Sequence, residues 1–389
     1  MGIARRLALG RLVSLSGGSA AYIALVAAIY GETGSALWVS AAIFSSVVAS
    51  VASAPFAGWI GDRFDRRGVL IGADVAAAAV SLAMAATATH AAALVVLLGV
   101  SSVAQAPFEP ASAAALPNVV PEADVPRANA LVAATSSAGH LLGPLFGGAV
   151  LGLGASPATL FAADAGTFVF SAVLVAAIGR SLGRGSTRDR PGTLAGLRMI
   201  VREPVLRVPV LAGMVSLVGI GIVDVASYPL SLNLDGGTAG YGAMTALLGG
   251  GGLLGAALAG RILRAEPVRV LVAAFGAGAA GLALAGAAPV LAIGFAGMAI
   301  AGAGRGLGDV ATVTIIQARA PNEVRSRVFA AQDGAAHFAF SVSAFTDGLL
   351  VELPGARGAF ATAAAFGVGA AVLAGRARLD TGTRGPGSS

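Results

Sequence analysis

The chain has 389 residues, of which 56% are hydrophobic and 11% charged, with a mean hydropathy of +0.84. A soluble surface of this size needs far more charge, so composition excludes a soluble globular protein. The absence of Cys excludes disulfides, thiolate metal sites and a cysteine nucleophile.

A membrane-crossing helix needs about 20 mostly apolar residues. Twelve runs qualify in chain order: roughly 10–31, 37–60, 68–89, 92–115, 127–151, 156–179, 207–232, 240–263, 267–287, 289–316, 327–351 and 356–376. The first follows Arg5, Arg6 and Arg11 and imitates a signal peptide. It is too long for the apolar core of one and reads as a retained helix.

The arginines alternate between loops. With the N-terminus inside, inner segments hold 23 of the 25 cations, all of them Arg. Arg357 lies in an outer loop and Arg305 within a span. This is a positive-inside pattern, which predicts both termini in the cytoplasm. Topology thus explains the formal charge of +6, and no nucleic-acid patch is needed.

The longest polar stretch, Arg180 to Arg207, divides the spans six and six. The expected organisation is a six-helix bundle over 1–180, a cytoplasmic linker over 181–206, a second bundle over 207–378 and a disordered tail over 379–389. Within the linker, Leu194 to Ile200 reads as a short interfacial helix. The halves share a pattern at an offset of 200: Gln105 with Arg305, Glu109 with Asp309, Pro121 with Pro321, Arg127 with Arg327. A repeated half is a mark of secondary transporters, whose substrate path runs between the repeats.

Two motifs carry a family resemblance. The loop with Gly58, Asp62, Arg63, Arg66 and Arg67 resembles the signature between the second and third helices of the major facilitator superfamily. Asp65 replaces the usual Gly, a variant associated with drug and siderophore exporters of that superfamily. The resemblance implies a gate brace. Asp62 would meet the positive end of the eleventh helix, and Arg66 would pair with Glu109. The alternative is that these charges only mark topology.

The second motif, Gly139, Gly143, Pro144, Gly147 and Gly148, resembles the fifth-helix motif of antiporters in the superfamily. Small residues four apart allow close helix packing, and Pro144 removes one backbone hydrogen bond, permitting a bend. Leu116 to Pro121 with Arg127 to Leu131, and Thr314 to Gln317 with Pro321, resemble the branch containing enterobactin exporters and macrolide efflux proteins. Relatives often carry an Asp after a Gly in the first helix. Here Gly17 is followed by Gly18 and Ser19, so a first-helix proton site is not expected.

Ionisable residues inside spans are costly and are functional candidates by default. Asp224, Asp333 with His337, and Asp309 lead as proton or substrate groups, with Arg305 and Asp164 beside them. Arg305 and Asp309 form an i, i+4 pair that either neutralises itself or binds an anionic substrate. Asp333 and His337 share that spacing and could relay protons. Asp74 lies near the inner surface, where hydration or gate bracing accounts for it. Gly249 to Gly252 sits inside a span without the Lys of a phosphate loop, so it reads as close helix packing. No metal site, catalytic cluster or cofactor is implied.

The expectation is an all-α integral membrane protein of twelve helices in two pseudo-symmetric six-helix bundles, the fold implied by the resemblance. Its function would be proton-coupled efflux of a small amphipathic molecule such as a drug or siderophore, by alternating access. The proton gradient would be the driving force and the bacterial plasma membrane the site. The expected partners are a small-molecule substrate and the lipid bilayer, with the protein a monomer. An importer or lipid transporter of the same fold, or a non-transporting membrane sensor, are the alternatives.

Overall fold

The protein is described here from a computed structural model. It describes all residues except 1, 122–123, 180–181, 183–192, 263–266, 322–324 and 383–389. The described residues form fourteen helices and no strand. Residues 181 and 183–192 of the expected polar linker lie outside them, as does the end of the expected tail. The last helix, however, runs to Gly382.

Eleven segments are long and apolar enough to cross a membrane. The remaining long helix, α6 (Val125–Gly152), has 28 residues but dilutes its apolar content with Thr, Ser, His and Gly. It completes the set of twelve. In chain order the others are α1 (Gly2–Thr33), α2 (Ala36–Arg63), α3 (Arg66–Ala86), α4 (Ala91–Gln105) with α5 (Phe108–Val119), α7 (Pro157–Ala176), α9 (Pro204–Asn233), α10 (Gly237–Ile262), α11 (Pro267–Gly286), α12 (Leu291–Arg319), α13 (Arg325–Glu352) and α14 (Gly355–Gly382). Helix α8 (Thr193–Arg202) is the short amphipathic linker helix.

Two outcomes differ from the sequence expectation. Helix α1 begins at Gly2 rather than near residue 10, so Arg11 lies well inside a helix. The fourth span is broken at Ala106–Pro107 into α4 and α5. A proline cannot donate the hydrogen bond that would carry α4 through this point.

Local chemistry sets the ends. Ser35 caps α2 by accepting from the Leu37 N–H at 3.2 Å. Glu32, at the end of α1, accepts from the Ala91 N–H at the start of α4. Gly154, just past α6, takes φ +95°, a conformation that side chains with a Cβ resist.

The chain divides into two compact units, Met1–Arg188 with Gly236–Ala246, and Asp189–Asp235 with Leu247–Ser389. In the first, α1 packs along α6 and α7, α3 along α7, and α2 along α4. A core of Leu70, Phe108, Leu116, Ile178 and Leu182 fills its arginine-rich end. In the second, α11 packs along α12 and α14, and α9 along α13 and α14. Helix α8 buries Ile200 with Leu206, Val210, Ile316 and Val328, which docks it onto α9 and α13.

Candidate functional site

The glycines of the second sequence motif sit where helices touch. In the first unit α6 lies against α1 through Gly139, Gly143 and Gly147. A Cβ at Gly143 would stand 2.5 Å from the Ser16 carbonyl and 2.5 Å from the Ser19 Cβ. At Gly147 it would stand 2.8 Å from the Ala20 Cα. Gly148 faces away, and its Cβ would meet the Thr238 carbonyl at 2.7 Å and Gly242 at 2.8 Å, both within the same unit. These are the backbone-to-backbone contacts that small residues permit. Gly251 and Gly255 lie as closely against α12, so the glycine run of α10 is a packing surface.

The loop motif is distributed differently from the expected brace. Arg66 donates to the Ala114 carbonyl of α5 at 2.9 Å. Arg67 donates to the Val175 and Ala176 carbonyls at the end of α7, at 3.4 and 2.5 Å. Arg63 lies over the Trp59 ring. The side chain of Asp62 lies outside the described residues. Glu109 does not meet Arg66: it forms an ion pair with Arg11, whose guanidinium also stands 5.2 Å from the centre of the Phe108 ring. The early start of α1 explains this, because it carries Arg11 into the bundle beside the fourth span.

Around Arg11 the first unit holds a polar centre. Asp74 of α3 is completely buried. Ser171 of α7 and Gln105 of α4 stand beside it, and Arg11 acts on it through its charge. Neither carboxylate oxygen closes a hydrogen bond, nor do the Gln105 Nε2 and the Ser171 Oγ. The sequence reading accounted for Asp74 by hydration or gate bracing near the inner surface, and its complete burial removes hydration from that account. His140 of α6 approaches Ser19 Oγ at 3.3 Å and also feels the Arg11 charge.

Further along the same unit, Asp164 of α7 is 5% exposed. It accepts hydrogen bonds from Ser81 Oγ at 2.7 Å and Thr167 Oγ1 at 3.4 Å. A Cβ at Gly17 would stand 2.9 Å from Asp164 Oδ1. Gly18, the α1 position that lacks an acid, faces the same carboxylate: a Cβ there would stand 3.9 Å from Asp164 Oδ1. Sequence reasoning could not see this approach, because it depends on which residue of a different helix faces Gly17 and Gly18.

The second unit has its own polar centre. A cavity of about 240 Å³ is lined by Arg305 and Asp309 of α12, Gln332 of α13, and Ser216, Met214 and Leu217 of α9, among others. The Gln332 Oε1 is buried without a hydrogen-bond partner. Arg305 exerts its charge on both Asp309 and Asp224, and Asp224 lies within electrostatic reach of Asp347. Asp347 is 1% exposed and accepts from Ser343 Oγ at 2.8 Å. A Cβ at Gly221 would stand 2.7 Å from Asp347 Oδ2, so α9 and α13 meet tightly at that carboxylate.

The expected Asp333–His337 relay is not built as drawn. The His337 Nδ1 lies 2.8 Å from the Asp333 backbone carbonyl rather than its carboxylate, and both side chains are exposed. The repeated pair from the two halves does land on the two polar centres: Gln105 and Glu109 on the first, Arg305 and Asp309 on the second.

A family model described as Major Facilitator Superfamily matches residues 7–331. The chain belongs to this superfamily. It is a multi-pass membrane transporter with the superfamily's fold of twelve helices in two six-helix bundles. It is 29% identical over 325 residues to the uncharacterized MFS-type transporter YfiS of Bacillus subtilis (strain 168), covering 79% of this chain and 76% of that one. Among solved structures it is similar to the nucleoside transporter NupG at 14% identity, with a TM-score of 0.78 over 99% of this chain and 100% of that one. A bacterial homolog of the human lysosomal transporter Spinster matches at 12% identity and TM-score 0.76, over 99% and 98% of the two chains. A D-xylose–proton symporter matches at 14% and 0.68, over 94% and 96%. Identities this low show a shared fold for this transporter and leave its substrate open.

Proposed function

We propose that the protein is a proton-coupled secondary transporter that expels a small amphipathic molecule across the bacterial plasma membrane, with both termini in the cytoplasm. The observation that carries this reading is the cavity of the second unit. It lines one small space with Arg305, Asp309 and Gln332 together with Met214, Leu217 and Phe275. Charged and apolar walls in one small space suit a ligand with a polar head and an apolar body.

Asp224 supports proton coupling because it shares a cation, Arg305, with Asp309 and lies near a second acid, Asp347. Two carboxylates sharing one guanidinium, with a third acid near one of them, cannot all stay charged cheaply away from water. A proton taken up by Asp224 or Asp309 releases Arg305 toward the other, and a substrate charge can compete for the same cation. Coupling by such competition needs no ATP. The helix-bend motif on α6 supports export, following the resemblance to antiporters.

The test is transport by the reconstituted full chain in proteoliposomes with an imposed pH gradient. Lipophilic weak-base dyes and hydroxamate siderophores serve as probes. Uptake into inside-acid vesicles that disappears with a protonophore and with Asp224→Asn is expected. Transport that ignores collapse of the pH gradient would overturn proton coupling. Movement in the same direction as the proton would make the protein an importer.

A further inference from the structure

We propose that Asp74 is a second proton-binding residue, in the first unit, and that Arg11 governs it by choosing between Glu109 and Asp74. The inference stands on the first unit's geometry and requires no particular substrate or direction of transport.

An ionised carboxylate that is completely buried needs a cation in contact or several hydrogen bonds. Asp74 has no cation in contact, because Arg11 is held in the ion pair with Glu109, and only the neutral Ser171 and Gln105 stand beside it. The site can serve both protonation states. Ser171 Oγ and Gln105 Nε2 can each donate to the ionised carboxylate, and a protonated Asp74 can instead donate to Ser171 Oγ while still accepting from Gln105 Nε2. Both of those atoms are buried and have no other partner, so they follow Asp74 in either state. A metal ion suits the space poorly, since Gln105 Nε2 and the Arg11 guanidinium are hydrogen donors and repel cations.

The remaining charged or titratable neighbours are accounted for. On α3 itself, Arg66 and Arg67 are turned to carbonyls of α5 and α7. On α7, Asp164 is held by Ser81 and Thr167. From α6, His140 reaches Ser19 of α1. From α2, Arg63 lies over Trp59, and the side chain of Asp62 is outside the described residues. This leaves Arg11 and Glu109 as the charges that set the Asp74 proton. Glu109 is 65% exposed, so it can be hydrated when Arg11 leaves it. Asp74 has no such option and must take either Arg11 or a proton. The pair thereby links a proton on α3 to the contact between α1 and α5.

The experiment is pH-dependent infrared difference spectroscopy of the full chain in lipid nanodiscs, read at the protonated-carboxyl band. A component of that band is expected to vanish in Asp74→Asn and to survive in Asp164→Asn. Glu109→Gln frees Arg11 for Asp74, so proton binding by that component should weaken about ten- to thousandfold. Arg11→Gln should strengthen it. A band unchanged in Asp74→Asn overturns the proposal, as does proton binding that Glu109→Gln leaves in place. The Glu109→Gln arm keeps the test open if Asp74→Asn fails to fold. The signal needs no substrate, so its failure is distinct from failure of the transport assay.

Discussion

Replacing Gly143 with Ala should destabilise the protein, whereas the same replacement at Gly166 should not. Both glycines are helical, so each gains up to about 1 kcal/mol of helix propensity from Ala. Their surroundings differ. A Cβ at Gly166 meets nothing within 4 Å. At Gly143 it lies 2.5 Å from Ser16 O, 2.5 Å from Ser19 Cβ and 3.2 Å from Ala20 N. Two of these are backbone atoms and cannot rotate away. Carbon contacts are comfortable near 3.5 Å, so α6 must back away from α1 by roughly 1 Å, a gap that forfeits about half of each contact along the seam. Overpacking of this kind costs about 1–3 kcal/mol. The propensity gain is common to both variants, so their difference should equal that cost. Reversible unfolding in mixed micelles, followed by far-ultraviolet circular dichroism, measures it. Equal stability of the two variants would refute the packing argument, and with it the role of the glycine motif as a tight seam.

Two further outcomes follow from the same geometry, and a third from the resemblance of the loop motif. Ser81→Ala removes a donor from a buried carboxylate and should cost about 1–3 kcal/mol in the same unfolding assay, with no change if Asp164 is hydrated instead. Arg305→Gln leaves the acids of the second cavity without their shared cation, so pH-driven flux should fall at least tenfold in proteoliposomes; flux at the normal rate would remove Arg305 from the mechanism. Asp62→Asn should weaken closure of the cytoplasmic mouth while leaving substrate affinity in place. The chain contains no Cys, so a single introduced cysteine can report it, and labelling that stays as slow as with Asp62 intact would count against the gate.

The span count and the division into two halves were legible because the bilayer imposes both length and charge placement. The small-residue seams were legible too, as spacing alone predicts them. Side-chain partners were not. Glu109 was assigned to Arg66 as the acid near the inner end of the fourth helix, and Arg11 was read as a terminal topology marker. The structure extends α1 back to Gly2, and this one change in a helix end puts Arg11 against Glu109. Asp74 was misjudged for a related reason: position along a helix says how deep a residue lies, not which way it faces. Its neighbours Gln105 and Ser171 come from α4 and α7, and no local pattern announces them. The acid opposite Gly17 was hidden in the same way.

The arginines that close the end of α7 carry a consequence for how this protein can change. Arg6 donates to the Ala177 carbonyl at 2.9 Å, and Arg67 holds the two carbonyls before it. On the orientation proposed above, each side chain does two jobs, marking the cytoplasmic side of the membrane and stapling one helix terminus to another. A lysine would serve the first job as well, since insertion reads only charge. It would serve the second poorly, because a point charge lacks the planar fork that reaches successive carbonyls. The chain has no lysine at all, so wherever an arginine carries both jobs a swap that keeps the topology would still loosen the bundle. Sidedness and mechanical integrity are inherited together here, and neither can drift without the other.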